Sequence, residues 1–512
     1  MADQATESIG TLARGMTVNL IGSGFNVVSR LLFNVLVARL LGPQQVGVYY
    51  LALTVAYLTG VIAVGGLDTT VIRYLARYRV DNDWGAFRGT LRFAMRTVGA
   101  LGIAGSAVVL VGAPWIATIL FRKPEVTTPL RIVALYVPLF AVEMVLLAAT
   151  QSFKQMKYKV YIEAMLNPTL RIVLAFSAYM LGGRVYAILA VYVLSLLICA
   201  ILAALALRRC IPVNLSAFVP TVNRPEIVKY WTPLFWGNLL NFMVMYADSF
   251  VLAHYRSTVE VGVYSVCIRL IVVMGFFLGV ISQIFGPMIS ELHHRGEMGQ
   301  LAAYSKVVTL WAVEVFAPIA LVFVVARHDV LGLFGKGFTV AGSCLLILVL
   351  GQFVNYVTGP VGLIISMAGW SRLQFWNTAI SLALQIVLAF LLVPSMGIIG
   401  AAIANSTGVI TLNLLQVYQV QRLLHFNPFD WVLAKPSVAA LAGLSVALLI
   451  GRYLSLSGPM HAVLACGGML LAYTGVLLSL GLDKHSRLAW EQFRHIMLPR
   501  FLNTPVGALL GK

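Results

Sequence analysis

Polar side chains recur along the first apolar segment of the chain. At about 100° per residue of an α-helix, steps of three and four residues keep side chains within one sector of a single face. Amides exchange hydrogen bonds with hydroxyl groups, and a guanidinium engages an anion through a planar fork. The spacing therefore predicts one helix face that is wet or buried against polar partners, with Arg30 pointing into the helix bundle. The residues on this face are Asn19, Ser23, Asn26, Arg30 and Asn34.

The chain also repeats itself. Val-Gly-Val-Tyr at 46–49 recurs at 261–264, and Ile-Val-Leu-Ala-Phe at 172–176 recurs at 386–390. The offsets are 215 and 214 residues. Two matches at nearly one offset indicate a duplicated half, so the polar face of the first half should have a counterpart in the second.

The duplicated face differs from the first in charge. An offset of 215 places Met245 in the register of Arg30, so the cation is not duplicated. Asp248 adds an acid one residue out of register, and Arg269 adds a cation in the next apolar segment. A cavity between the halves would therefore be asymmetric in charge. The other members of the second face are Asn238, Asn241 and Ser249.

These faces predict the residues of a functional site. The alternative is that the polar groups only pack, with arginines paired to acids between helices. Arg30 and Arg269 favour function because they lie on polar faces of the first and second segments of opposite halves. Arg96 and Arg171 favour packing, and Asp248 is open between a counter-ion and a proton or sodium site. The predicted substrate-binding residues are Arg30, Arg269, Asn26, Asn34, Asn238 and Asn241, and the predicted ion-coupling residue is Asp248.

Composition places these faces inside a membrane. Hydrophobic residues make up 60% of the 512 residues, more than a soluble domain carries. Roughly 20 helical residues are needed to cross the hydrocarbon. Polar residues, Gly and Pro interrupt the apolar sequence and divide it into fourteen predicted spans of about this length. A membrane protein with duplicated halves is most often a transporter with its path between them. The spans are approximately 15–40, 47–67, 92–113, 131–152, 161–181, 185–207, 231–254, 261–287, 307–327, 339–368, 373–393, 397–420, 434–455 and 460–482.

Positive charge orients the spans. Of the 36 Lys and Arg residues, 23 fall on the side of the termini and nine on the other side. Because cytoplasmic loops carry the positive excess, both termini are predicted to be cytoplasmic. Six spans per half return the chain to the same side, so the repeat is parallel. The predicted regions are a cytoplasmic N-terminal tail 1–14, an N-lobe 15–222 with spans 1–6, a C-lobe 223–424 with spans 7–12, accessory spans 13 and 14 within 425–482, and a cytoplasmic tail 483–512.

Other classes of chemistry are poorly supported. The net charge of +18 is explained by the cytoplasmic loops, and no basic run with interleaved aromatics indicates nucleic acid. The five cysteines lack CxxC spacing and the eight histidines lack ligand spacing, so neither a disulfide framework nor a metal is predicted. No connection is long enough for a soluble catalytic domain. The chain is therefore predicted to be a transporter without a cofactor, and not an enzyme.

Motifs near the N-terminus resemble a known family. They are Ala-Arg-Leu-Leu-Gly-Pro at 38–43, Val-Gly-Val-Tyr at 46–49, Gly-Leu-Asp-Thr-Thr at 66–70 and Arg-Tyr-Leu-Ala-Arg at 73–77. They are similar to the polysaccharide transporter branch of the multidrug/oligosaccharidyl-lipid/polysaccharide exporter superfamily, which contains the O-antigen and exopolysaccharide flippases. The resemblance implies an all-α integral membrane fold, with two six-helix lobes around a central cavity plus two C-terminal helices.

The resemblance also implies a substrate. This is an oligosaccharide linked to undecaprenyl pyrophosphate, moved by alternating access from the inner to the outer leaflet of the bacterial cytoplasmic (inner) membrane for surface polysaccharide biosynthesis. The implied partners are this lipid, membrane lipids and polysaccharide polymerase machinery. Members use cavity arginines, and Arg30 and Arg269 fit that role here. Two alternatives stay open: a cation-coupled multidrug exporter of the same fold, which would want acids such as Asp248, and a polysaccharide polymerase or ligase.

Overall fold

A computed structural model of the protein describes residues 2–429, 431–453 and 459–481. Within these residues the regular structure is entirely helical, which confirms the predicted all-α class. The predicted tail 483–512 lies outside the described residues. The helices are α1 (Ala2–Val64), α2 (Leu67–Val80), α3 (Trp84–Trp115), α4 (Thr127–Ala134), α5 (Tyr136–Gln151), α6 (Met156–Lys159), α7 (Asn167–Met180), α8 (Val185–Cys210), α9 (Arg224–Tyr255), α10 (Thr258–Met274), α11 (Phe276–His294), α12 (Met298–Val325), α13 (Arg327–Gly332), α14 (Gly342–Val357), α15 (Val361–Met367), α16 (Ser371–Met396), α17 (Ile398–Leu423), α18 (Ala434–Tyr453) and α19 (Pro459–Ser479).

The predicted spans coincide with this helical order. The described part of each falls on one to three consecutive helical segments. Within the described residues, nine helical stretches are long and apolar enough to cross a bilayer. Nine is fewer than fourteen because α1 joins the first two spans, while interruptions such as Gly275 between α10 and α11 shorten others. The protein is a multi-pass integral membrane protein, and fourteen crossings stays a prediction.

Helix α1 consists of two helices joined at a kink. Gly42 has φ 73° and ψ 169°, and Pro43 begins the second of the two helices. Proline fits the first turn of a helix because the N–H that it lacks would have no intrahelical partner there. The kink separates the part that carries Arg30 and Asn34 from the part that carries Tyr50, which lets the two parts face one another.

The helices pack into two compact units. A buried apolar cluster in the first unit joins α2, α3, α5 and α8 through residues such as Leu67, Phe87 and Cys199. A cluster in the second joins α12, α18 and α19 through Ala317 and Tyr473. The predicted lobes 15–222 and 223–424 describe the duplication, and that boundary stays a prediction. The first unit comprises Met1–Phe276, Val330–Leu348 and Phe375–Gly408, and the second comprises the described residues of Phe277–Asp329, Val349–Gln374 and Val409–Lys512.

The two Val-Gly-Val-Tyr motifs pack against each other in the first unit. A Cβ added at Gly47 in α1 would overlap the backbone oxygen of Thr258, and one added at Gly262 in α10 would overlap the backbone oxygen of Pro43. Pro43 and Thr258 are themselves related by the offset of 215, so the contact is two-fold symmetric. Only glycine permits so close an approach of two backbones. The duplicated segments therefore meet at their duplicated glycines.

Alanine at Gly47 or Gly262 is expected to destabilise the protein. The obstructing atoms belong to the backbone and cannot rotate aside, so we expect a loss of about 3 kcal/mol, at the upper end of overpacking effects. Gly99→Ala in α3 is the matched control, because no neighbouring atom lies within 4 Å of its added Cβ. Alanine there should gain about 0.5–1 kcal/mol of helix stability. Thermal melting in detergent should therefore move in opposite directions, and equal midpoints for all three variants would contradict the close contact.

Candidate substrate cavity

A polar cavity of about 280 Å³ lies within the first unit. Its walls come from α1, α5, the π-helical segment Val160–Leu166, α7, α8, α9 and α10. Three guanidinium groups face two carboxyl groups, so the lining favours an anion, and the low dielectric of the surroundings strengthens that preference. The polar lining residues are Arg30, Asn34, Thr54, Glu143, Glu163, Asn167, Arg171 and Arg269, with Tyr49, Tyr50, Tyr57, Tyr136, Tyr192 and Tyr246.

Arg269 is held in this cavity by tyrosines. Its Nη1 donates to the Tyr246 hydroxyl at 3.3 Å. Its Cζ lies 5.0 Å from the centroid of the Tyr50 ring and 5.8 Å from that of Tyr246. These cation–π contacts orient the guanidinium without neutralising it. Among the described residues no carboxylate forms an ion pair with Arg269, so its charge stays available to a ligand.

Arg30 and Asn34 line the same cavity from α1. Arg30 is exposed, and the described part of the chain offers it neither a hydrogen bond nor an ion pair. Asn34 lies one turn further along, where its Oδ1 accepts a hydrogen bond from the Tyr50 hydroxyl at 2.9 Å. The structure thus brings together three predicted site residues from two helices, and neither cation has an acidic partner among the described residues.

Asn238 and Asn241 line a second cavity of about 310 Å³, also in the first unit. Tyr57, Met245 and Tyr246 line both cavities, so the two adjoin. Both asparagines are exposed. We call the first cavity the arginine cavity, after Arg30, Arg171 and Arg269. The two amides therefore lie beside the arginine cavity but outside it.

Asn26 has a different environment from the other predicted residues. Its Nδ2 donates to the backbone oxygens of Glu163 and Ala164, each at 3.3 Å. Both acceptors belong to the π-helical segment Val160–Leu166. Such segments leave carbonyl groups without their usual helical donors. Asn26 therefore fastens α1 to this segment and supports one wall of the arginine cavity.

Asp248 lies at a separate buried position in the first unit, with 0% of its surface exposed. Its Oδ2 accepts from the Tyr264 hydroxyl at 2.5 Å and from Asn405 Nδ2 at 2.8 Å. Its Oδ1 accepts from the Ser249 backbone N–H at 2.6 Å. These donors are neutral, and no described Lys or Arg forms an ion pair with Asp248. A buried carboxylate with neutral donors alone favours taking up a proton or a cation.

Similar tyrosine-to-acceptor bonds occur in both halves. Tyr50 donates to Asn34 and Tyr264 donates to Asp248, with a separation of 16 positions in each case. At the offset of 215 the two bonds are one residue out of register, since Tyr264 corresponds to Tyr49. The first half has a neutral amide as the acceptor and the second half has a carboxylate. The two halves therefore differ in charge at similar, but not duplicated, hydrogen bonds.

Arg171 lines the arginine cavity although the sequence favoured a packing role for it. Its Nε donates to Ser195 Oγ at 3.2 Å, and its Cζ lies 3.5 Å from the centroid of the Tyr192 ring. Its guanidinium therefore packs and also contributes charge. Two acids share the lining: Oε1 of Glu143 and Oε2 of Glu163 are buried and have no hydrogen-bond partner in the described part of the chain.

The repeat contains a pattern that indicates Arg171 and Glu163 as cavity residues. At the offset of 214, Glu163, Asn167 and Arg171 correspond to Asn377, Ser381 and Gln385. Both sets have steps of four residues, the spacing of one helix face. A polar face that keeps its position in both halves, within otherwise apolar segments, indicates an interior lining. Glu143 has no such signal, since it stands alone among apolar neighbours.

Comparison with known families agrees with this geometry. A family model described as "Polysaccharide biosynthesis protein" matches residues 12–293, which is more than half of the chain. The chain belongs to this family. A second model, described as "MatE", matches residues 233–391. The predicted membership of the polysaccharide transporter branch is thereby confirmed.

Curated relatives match between about half and four fifths of the chain. Stage V sporulation protein B of Bacillus subtilis is 22% identical, over 81% of this chain and 82% of the relative. The succinoglycan biosynthesis transport protein ExoT of Rhizobium meliloti is 24% identical, over 67% of this chain and 66% of the relative. The probable flippase AglR of Haloferax volcanii is 26% identical, over 54% and 59%.

Two solved structures are similar to this chain in fold. Lipid II flippase MurJ in an inward closed conformation matches with a TM-score of 0.73 and 14% identity, covering 89% of this chain and 97% of that chain. An inward-facing multidrug resistance transporter of the MATE family matches with a TM-score of 0.65 and 16% identity, covering 80% and 98%. At these identities the likeness establishes the fold alone, and this fold agrees with the all-α membrane class that the sequence predicted.

Proposed function

We propose that the protein is a flippase that moves a polyprenyl-pyrophosphate-linked oligosaccharide from the inner to the outer leaflet for surface polysaccharide biosynthesis. The observation that carries this proposal is the cavity lined by Arg30, Arg171 and Arg269. Cations inside a membrane protein are costly unless a partner or substrate uses them. A pyrophosphate offers adjacent anionic oxygens that guanidinium forks bind in bidentate fashion. The head group would cross by alternating access while the polyprenyl chain stays in the bilayer.

A cation-coupled multidrug exporter is the second candidate. The MatE match and the MATE-family structures favour it. Its substrates would be cations, however, and the arginine cavity would repel them. We therefore rank it below the flippase. A polysaccharide polymerase or ligase ranks last, because the fold is that of transporters.

We infer that Asp248 couples transport to a proton or sodium gradient. Its carboxylate is fully buried among neutral donors, so binding a proton or a sodium ion would cancel its charge. In the first half, the acceptor of the similar tyrosine hydrogen bond is the neutral Asn34. Only the second half would then respond to the gradient, and the two halves would have distinct roles: substrate binding at the arginines and ion binding at Asp248.

We place the protein in the bacterial cytoplasmic membrane with both termini in the cytoplasm. Polysaccharide polymerase machinery would take up the product at the outer leaflet. The distribution of Lys and Arg supports this orientation. A variant with Cys210 and Cys466 replaced by serine leaves three cysteines, all buried. In that background, Glu125→Cys should react with an impermeant thiol reagent from outside the cell and Lys157→Cys should not, since both positions are exposed and lie on opposite predicted sides. Reversed labelling would overturn the orientation.

The flippase proposal is tested in vesicles that contain the purified protein. A fluorescent polyprenyl pyrophosphate carrying a sugar should become accessible in the opposite leaflet faster than in protein-free vesicles. An inside-negative potential should accelerate outward movement, because each charge gains about 2.3 kcal/mol per 100 mV. Transport of ethidium, with no movement of the lipid, would favour the exporter instead.

A further inference from the structure

The second cavity contains an acid, Asp68, at the start of α2. We propose that Asp68, Asn238 and Asn241 bind the sugar hydroxyls of the substrate, beside the arginine cavity that holds the pyrophosphate. This inference rests on the proposed function and assigns a part of the substrate to each cavity.

A tight turn places Asp68 against α9. Gly65 and Gly66 join α1 to α2 with φ of 52° and 86°, values that L side chains rarely adopt. Gly66 lies so close to α9 that an added Cβ would be 2.7 Å from Leu234 and 3.3 Å from Nδ2 of Asn238. The turn therefore brings the first residues of α2 beside the amides of α9.

The protein does not satisfy the hydrogen-bonding capacity of Asp68. Its Oδ1 is buried and has no partner among the described residues. An acid in the first turn of a helix is favourable electrostatically, but that interaction does not supply the missing donor. Asn238 and Asn241 are exposed and line the same cavity. Hydroxyl groups donate to carboxylates and accept from amides, so the hydroxyls of a sugar would suit all three side chains.

The charges of the two cavities indicate which part of the substrate each cavity binds. Three arginines and two glutamates line the first cavity, so its cations are in excess, whereas Asp68 is the charged residue that lines the second. A carboxylate repels a pyrophosphate and accepts hydrogen bonds from hydroxyls. Because the cavities share Tyr246 and other lining residues, a pyrophosphate bonded directly to a sugar can occupy both at once.

Aromatic rings give the second cavity a surface for a sugar ring. The centroid of Tyr57 lies 5.4 Å from that of Phe140 and 5.6 Å from that of Phe242. Pockets for small polar ligands combine such rings with a few directed polar groups. An acid among aromatic rings also suits an organic cation, but the adjoining arginines would repel one. A neutral sugar is therefore compatible with the acid and the rings of the second cavity and also with the arginines of the adjoining cavity.

The test compares two ligands on the purified full-length protein. One is polyprenyl pyrophosphate, and the other is the same lipid carrying a single glucose, galactose or N-acetylglucosamine. We expect at least one sugar to tighten binding about tenfold, as expected for hydrogen bonds to a charged group. Asp68→Ala should remove this gain without weakening binding of the bare lipid. Asp68→Asn, which keeps an acceptor, should retain part of the gain, and Thr69→Ala at the next, exposed position should retain all of it.

Several results would overturn the inference. They are a gain that persists in Asp68→Ala, no gain from any sugar in wild type, and tetraphenylphosphonium binding that Asp68→Ala abolishes. A merely structural role for Asp68 would weaken binding of both lipids and lower the melting temperature together. Failure of wild type to bind either lipid would instead overturn the flippase proposal, along with the sugar subsite.

Discussion

Arg30→Ala is expected to abolish lipid flipping while leaving the amount of folded protein in the membrane close to that of wild type. Arg30 lines the cavity with no partner among the described residues, so its loss removes no contact of the fold. Loss of a desolvated charge pair with phosphate costs about 3 kcal/mol, which corresponds to roughly a hundredfold in affinity. Initial flipping rates in vesicles, corrected for protein content, measure the effect.

Arg269→Ala should have a similar effect on transport but a larger effect on stability. Its guanidinium contacts the rings of Tyr50 and Tyr246, and each such contact contributes about 0.5–2 kcal/mol. Lysine at either position should restore part of the activity, because it keeps the charge but loses the planar fork. Arg96→Ala is the matched control, since Arg96 is an exposed arginine of α3. Normal flipping by the Arg30 and Arg269 variants would show that the arginines are structural.

The order of the helices could be predicted from hydrophobic length, but the boundaries between them could not. Spans 1 and 2 were predicted as separate helices because Gly42 and Pro43 interrupt the apolar pattern. In the structure Gly42 leaves the helical conformation, yet the helix resumes at once. A break of one residue redirects a helix without ending it. Composition alone does not distinguish the two outcomes, since Gly and Pro occur in both.

The candidate site could be predicted in part. A helical period identifies which residues share one face of a helix, but not what that face packs against. The steps of four residues at Asn26, Arg30 and Asn34 were sufficient to place polar groups on one side of α1. Two of them line the cavity and Asn26 binds backbone oxygens instead. Asp68 was not predicted as a site residue because it follows the apolar run. Its position depends on the Gly65-Gly66 turn against α9, a contact between residues far apart along the chain that no local pattern reveals.

Asp248→Asn is expected to remove the dependence of flipping on a proton or sodium gradient while transport down the substrate gradient continues. The carboxylate has only neutral donors around it, so the ion that neutralises it would enter and leave with each cycle. Asparagine keeps the size of the side chain but is neutral throughout, as Asn34 is at the similar tyrosine bond of the first half. A tenfold ion gradient supplies about 1.4 kcal/mol. The variant should no longer use that energy.

The measurement is the ratio of flipping rates with and without the gradient, taken separately for protons and for sodium. This ratio does not depend on protein abundance, which matters because the introduced amide could present its N–H to one of the two donors whose hydrogen bonds Oδ2 of Asp248 accepts. Asp329→Asn, at an exposed acid of α13, controls for loss of a negative charge elsewhere. Wild type should show a ratio above one for one of the ions, and Asp248→Asn a ratio near one for both. A ratio in the variant equal to that of wild type would mean that Asp248 serves only the packing of α9 against α10 and α17.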